Sequence, residues 1–331
     1  MNIQQMISHL SICLLAICTF SVTPTRAQTI THVAQFTFTG DSAGDRFGNS
    51  VSSAGDVNGD GFDDLIVGAQ NDDNNGTDSG SARVFSGADG SVLYNFDGDS
   101  AGDLFGGSVS GAGDVNGDGF DDLIVGAQND DNNGANGGSA RVLSGADGSV
   151  LYSFDGEIGD GFGQSVSGAG DVDGDGFDDL IVGAPTDDNG GSFSGSARVF
   201  SGVDGSVLHI FEGDSNGDNF GNSVSGAGDV NGDGFADLIV GASLDDNRDL
   251  FSGSARVFSG SDGSVLYNFD GDSNGGPTPS GDRFGGSVSG AGDANNDGFD
   301  DLIVGAANDD NNGSNSGSAR VLSGSDGSVL Y

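Results

Sequence analysis

Residues Gly55–Ala69 read GDVNGDGFDDLIVGA, and the word returns four more times along the chain. It begins again at Gly113, becomes GDVDGDGFDDLIVGA from Gly170 and GDVNGDGFADLIVGA from Gly228, and ends as GDANNDGFDDLIVGA from Gly292. The leading aspartates Asp56, Asp114, Asp171, Asp229 and Asp293 stand 58, 57, 58 and 64 residues apart. Self-similarity at such a period marks a repeat architecture, in which each unit buries its apolar faces against its neighbours. The longest interval carries NGGPTPS at residues 274–280, which reads as a surface-loop insertion.

Each period holds four strand candidates. In the first unit they are Phe47–Ser53, Asp64–Ala69, Ser81–Ser86 and Ser91–Phe96, each bounded by Gly, Asp or Asn. DLIVGA is a continuous apolar run, as expected of a strand covered on both faces. Ala88-Asp89-Gly90 is a hairpin signal between the third and fourth strands, and it recurs at Asp147, Asp204, Asp262 and Asp326. Four antiparallel strands in about 60 residues describe one blade of an all-β propeller, whereas a β-solenoid needs a shorter period. The expected units are approximately 40–96, 97–154, 155–211, 212–269 and 270–331, within a propeller spanning 28–331. VAQFTF at 33–38 resembles a fourth strand placed before the first unit, and Ser328–Tyr331 is a shortened fourth strand of the last. The expectation is a five-blade ring.

Composition narrows the function. The net charge is −42, with 51 acids, 49 of them aspartate, against nine basic residues that are all arginine. Such a chain will not track a phosphate backbone and is repelled by anionic lipid, so neither nucleic acid nor membrane insertion is expected. Glycine, at 64 residues, opposes helix throughout. Residues 1–27 differ in kind: LSICLLAICTFSV (10–22) has signal-peptide length, and Thr25-Arg26-Ala27 supplies a small-residue cleavage site. The residues ahead of the apolar run lack the Lys or Arg usual in such segments. Both cysteines, Cys13 and Cys18, lie there, so the exported chain has no thiol chemistry.

The nonapeptide Asp56–Asp64 places oxygen side chains at positions 1, 3, 5 and 9, with Gly61 at position 6 for the turn and the Phe62 carbonyl at position 7. Hard oxygen ligands at this spacing suit Ca²⁺ better than Mg²⁺, and Val67 at position 12 excludes an EF-hand. The ligand sets are Asp56, Asn58, Asp60, Phe62 and Asp64; Asp114, Asn116, Asp118, Phe120 and Asp122; and Asp171, Asp173, Asp175, Phe177 and Asp179. They continue with Asp229, Asn231, Asp233, Phe235 and Asp237, then Asp293, Asn295, Asp297, Phe299 and Asp301, which gives about five Ca²⁺ ions. Position 8 is alanine at Ala236 and is no ligand by this logic. The ions' first expected role is to hold the fold, because self-contained loops leave few positions open to a substrate.

These units resemble the FG-GAP repeat of the integrin α-chain propeller. Phe47-Gly48, Phe105-Gly106, Phe162-Gly163, Phe220-Gly221 and Phe284-Gly285 match FG, and Gly183-Ala184-Pro185 matches GAP in full. Gly68-Ala69, Gly126-Ala127, Gly241-Ala242 and Gly305-Ala306 match it without the proline. The resemblance covers residues 30–331 and implies a calcium-bearing propeller. It departs in having five repeats instead of seven, all with the metal loop, and no D-x-S-x-S adhesion motif, which points to a bacterial-type secreted relative.

The loops between second and third strands (NDDNNGTDS at 71–79 and its counterparts) vary most, notably at Asn247–Phe251, and variable loops on a rigid scaffold are where recognition sits. One reading makes them solvated and merely acidic; the other makes Arg248 and Phe251 part of a protein or glycan surface. Arg83, Arg141, Arg198, Arg256 and Arg320 share one repeat position, which suggests structural ion pairs. With no Lys, scattered His9, His32 and His209, and no exported Cys, no catalytic set is expected. The expected function is a secreted or cell-surface calcium-binding propeller for adhesion or protein interaction. A Ca²⁺-dependent lectin is the alternative, and a polysaccharide lyase ranks third.

Overall fold

A computed structural model describes residues 36–272 and 281–331, and Phe38–Tyr331 forms one compact unit. The expected leader at 1–27, residues 33–35 and the expected loop insertion at 274–280 lie outside the described residues. Among the described residues all regular structure is strand, and no helix is long and apolar enough to cross a membrane.

Blade 1 contains β1 (Val51–Gly55), β2 (Asp64–Ala69), β3 (Ser81–Phe85) and β4 (Val92–Asp97), hydrogen-bonded in that order. Blade 2 repeats it with β5 (Ser108–Gly113), β6 (Asp122–Ala127), β7 (Ser139–Leu143) and β8 (Val150–Asp155). Blade 3 has β9 (Ser165–Gly170), β10 (Asp179–Ala184), β11 (Ser196–Phe200) and β12 (Val207–Glu212). Blade 4 has β13 (Phe220–Gly228), β14 (Asp237–Ala242), β15 (Ser254–Phe258) and β16 (Val265–Asp270). Blade 5 has β17 (Phe284–Gly292), β18 (Asp301–Ala306) and β19 (Ser318–Leu322). All strand pairings within the blades are antiparallel, as expected of propeller blades. The first strands of neighbouring blades pack together, β1 on β5, β5 on β9, β9 on β13 and β13 on β17.

The core lies between blades. Ala54, Val57, Ile66, Ala82 and Val84 of blade 1 pack against Phe105, Val109, Leu123, Val125, Ala127 and Leu143 of blade 2, and the other junctions repeat the set. The glycine of DLIVGA is required by close approach: a Cβ on Gly126 would overlap the backbone carbonyl of Gly163 in the next blade. That FG turn latches the junction, with Phe162 bridging Gly138 in parallel sense and donating its N–H to Gly137 at 3.0 Å.

Two expectations are corrected. The first strand of blade 1 starts at Val51, not Phe47, whereas in blades 4 and 5 the strand does begin at the Phe, with a register shift after it. Ser328–Tyr331 is, as expected, a shortened fourth strand and not a regular one: it bridges Leu322 at Val329 and bonds β19 from Leu330 N–H to the Val321 carbonyl at 2.8 Å and from Val321 N–H to the Tyr331 carbonyl at 3.2 Å. Nor do the first and last blades close on each other: Val51 and Ile303, on the two outer faces, are 66% and 38% exposed, while Val109 and Ile239 inside are buried. Phe38 is not in a strand, yet it stacks on Phe85 at 4.0 Å as Phe154 stacks on Phe200, taking the place of a preceding blade's aromatic.

Candidate metal centre

Each nonapeptide loop joins the first strand to the second and folds around its own backbone. In loop 1 the Asp56 carboxylate accepts the N–H groups of Asp60 and Gly61 at 3.0 and 2.8 Å, Asn58 Oδ1 accepts from Asp60, and Asp60 accepts from Phe62. Loops 2 to 5 repeat these bonds. The oxygen-bearing side chains at positions 1, 3 and 5 are thereby fixed against the loop's own backbone. In loop 3, where position 3 is aspartate, oxygens of Asp171, Asp173 and Asp175 all lie within 4.8 Å of one another. The donors are oxygens only, which fits a hard divalent cation and not a soft metal.

Position 9 is built differently. Asp64, Asp122, Asp179, Asp237 and Asp301 are completely buried. Asp122 accepts the N–H of Val115 at 3.1 Å and that of Gly145 at 2.9 Å, so one carboxylate ties the loop to the turn between the third and fourth strands. Burial pushes Asp122, Asp179 and Asp237 up to about 6, against the backbone N–H groups that favour the charged form. The loops and the Asp-Gly turns share one end of the blades, as Ser261 Oγ to Asp233 and Ser325 Oγ to Asp297 also show.

Position 8 has a role that ligand spacing within the loop does not reveal. Asp121 Oδ2 accepts the N–H of Asp56 in the preceding blade at 2.7 Å, Asp178 that of Asp114 and Asp300 that of Asp229. It is a staple between loops. Ala236 cannot make it, and there only the backbone bond from Ala236 N–H to the Asp171 carbonyl remains, at 2.9 Å. Phe120 packs likewise over Gly59, and Phe177, Phe235 and Phe299 over Gly117, Gly174 and Gly232.

The repeated arginines are structural, as expected. Each lies over its FG phenylalanine, from 4.7 Å for Arg141 on Phe105 to 5.3 Å for Arg83 on Phe47. Arg83, Arg141, Arg256 and Arg320 pair with Asp41, Asp99, Asp214 and Asp272. The 57-residue repeat lacks that aspartate, and Arg198 turns to Asp160 and Asp187 at 3.3 and 3.4 Å. His209 bonds the Gly260 carbonyl at 2.7 Å where Tyr94 and Tyr267 bond Gly145 and Gly324.

The paired aspartates at the opposite end are not merely solvated. Asp72, Asp130, Asp187, Asp245 and Asp309 are buried and accept from the serines that open the third strands. Beside them, Asp218 is buried next to Asp214 and Asp245. Burial first, then the hydrogen bond shared with Asp214 and the charge of Asp245, push Asp218 up to about 7. Its folded value thus exceeds the ordinary 3.8. This contribution to stability is therefore full below about pH 4 and is lost as pH rises through about 7. Asp218→Asn is expected to flatten that decline and to raise stability above pH 7 by on the order of 1–3 kcal/mol. Melting curves across this range with parallel pH slopes for both proteins would refute it.

The FG-GAP repeat family matches residues 47–85, 105–143, 162–200, 220–266 and 284–322, and the chain belongs to that family. It is 32% identical to integrin alpha-5 of Xenopus laevis over 239 residues, 67% of this chain and 22% of the integrin. Integrin alpha-V of Gallus gallus is 34% identical over 62% of this chain and 21% of its own length. Integrin alpha-PS5 of Drosophila melanogaster is 37% identical over 45% and 16%. The chain thus spans about a fifth of these relatives' length. Among solved structures, rhamnogalacturonan lyase YesW superposes with a TM-score of 0.46 at 17% identity, covering 86% of this chain and 50% of the lyase. Raptor of Chaetomium thermophilum gives 0.46 at 13%, covering 78% and 19%.

Proposed function

We infer that the chain is an exported, calcium-loaded FG-GAP propeller that works as an adhesion or protein-interaction module. The observation that carries the metal assignment is the fivefold loop, whose backbone N–H groups hold the position-1 carboxylate in place in every copy, and in loop 3 gather three carboxylates within 4.8 Å. The proposed ligands are side chains at positions 1, 3, 5 and 9 and the carbonyl at position 7, with Asp64 and its counterparts using oxygen lone pairs beyond those facing the backbone. Bound Ca²⁺ supplies charge neutralisation; this chain's residues supply the cage. The leader at 1–27 and the extracellular setting of integrins support export.

The recognition end we assign to the loops between second and third strands. Phe193 and Phe251 are 53% and 38% exposed and hold positive φ of 52° and 56° at positions where sister loops carry Asp78, Asn136 and Asn315. Bulky side chains are strained there, so exposed aromatics at two such tips, with Leu250 and Arg248 beside the second, suit a docking surface better than a solvated one. This favours binding over catalysis.

Native mass spectrometry of the chain from Gln28 in rising calcium is expected to show ions adding up to five per chain. An ion-free spectrum at saturating calcium sinks the assignment. A glycan array probed with and without EGTA separates the lectin alternative, which requires calcium-dependent glycan signal.

A further inference from the structure

We propose that the end of the blades opposite the nonapeptide loops carries a second class of cation site, in which Asp214, Asp218 and Asp245 hold one hard divalent ion beside Arg256. The site lies outside the five loops and stands whether or not those loops hold calcium.

The cluster joins the connection between β12 and β13, which carries Asp214 and Asp218, to the loop after β14, which carries Asp245. Carboxylate oxygens of all three lie within 4.8 Å of one another. Asp218 is the residue that calls for an ion. Its side chain is buried at 1% exposure, Oδ2 accepts the Ser215 N–H at 3.0 Å, and Oδ1 has no donor. Asp245 is by contrast satisfied, by the Asn247 N–H at 2.8 Å and the Ser254 hydroxyl at 2.6 Å. Asp218 shares its remaining side with the Asp214 carboxylate, and two carboxylates can share only a proton or a cation. A buried acceptor without a donor is costly, so a positive partner completes it.

The charges count the same way. Three carboxylates and the Arg256 guanidinium, 2.7 Å from Asp214 Oδ2, leave two negative charges for a divalent ion to cancel. The donors are oxygens only, which selects a hard cation. Asp214, about half exposed, gives the ion its way in. A proton is the competitor: burial, then Asp214 and Asp245, push Asp218 up to about 7, so the ion binds more tightly as pH rises past that value.

Other blades vary the set. In blade 1, Asp41, Asp45 and Asp72 gather within the same 4.8 Å beside Arg83, and a cleft of about 310 Å³ lined by Asp41, Ser81 and Arg83 opens there. In blade 5, Asp282 is the counterpart of Asp218, and its buried Oδ1 is orphaned in the same way. Blade 3 is a built-in control. It lacks the first aspartate, and Arg198 reaches both remaining carboxylates, Asp160 at 3.3 Å and Asp187 at 3.4 Å, in place of the ion.

The test is amide NMR of the chain from Gln28 above pH 7, given one equivalent of calcium per nonapeptide loop and then titrated with Mn²⁺ as a paramagnetic probe. The amide signals of Ser215, Asp218 and Leu244 are expected to broaden, with those of Ser42 and Asp45 in blade 1, while Glu157 and Asp187 in blade 3 keep their intensity. Asp218→Asn keeps the shape of the side chain and supplies Asp214 with a donor, so it folds. It should need at least about tenfold more Mn²⁺ to broaden Ser215 and Leu244, with Ser42 unchanged. Broadening that spares the three blade 4 amides overturns the proposal. So does equal broadening in Asp218→Asn, or equal broadening at Glu157 and Asp187, which would mean diffuse attraction to an acidic surface. Shifts of the Gly61 and Gly119 amides on adding the calcium report the nonapeptide loops separately, so either assignment can fail alone.

Discussion

In excess EGTA the chain is expected to melt at least about 10 °C below its temperature in millimolar calcium. A single ion held a thousandfold above its dissociation constant adds about 4 kcal/mol to the folded state. For a chain of this size each kcal/mol moves the midpoint by about 2 °C, so even two or three occupied loops give the shift. The cause is also structural. Without a cation, loop 3 holds three carboxylates within 4.8 Å, and the buried Asp179 of that loop sits in the field of Asp173 and Asp175. Differential scanning calorimetry in calcium and in EGTA decides it, and superimposed curves would end the calcium assignment.

Second in size is the contrast between two identical substitutions. Gly126→Val is expected to cost more than about 4 kcal/mol, because its Cβ would enter the carbonyl of Gly163 and both partners are backbone that cannot step aside. Gly305→Val, in the same word of the last blade, is expected to change stability by less than about 0.5 kcal/mol, as for an ordinary surface site. Both positions lie in strands where valine is otherwise favoured, so propensity cannot explain a difference. Chemical denaturation of the two variants measures it, and equal losses would contradict the junction geometry.

The contrast also shows where the sequence is legible. Period, strand order, the four-stranded blade and the shared end of metal loops and Asp-Gly turns were all readable, because each depends on contacts within one repeat. Asp64 was readable as an acidic position of the loop, though not as the buried tie to Gly87. What was hidden lies between repeats. The staple from Asp121 joins residues 65 apart, and spacing inside a nonapeptide cannot reveal it. Ala236, against four aspartates at position 8, was the one available signal of a role outside the loop. Ring closure was misjudged for a related reason. Strand counting weighs how many elements exist, whereas closure depends on whether Val51 and Ile303 find each other.

The glycine of DLIVGA, the FG turn that covers it and the staple at position 8 each have their reason in an adjoining repeat. The unit that evolution or an engineer can copy is therefore the seam between two blades. Cutting within a repeat and rejoining at the same point of the next preserves every seam, so blade number can change by whole periods while each partner remains correct. Ala294 and Asn296 are the two departures from the word in the last loop, at the positions that a seam occupies in the four other loops.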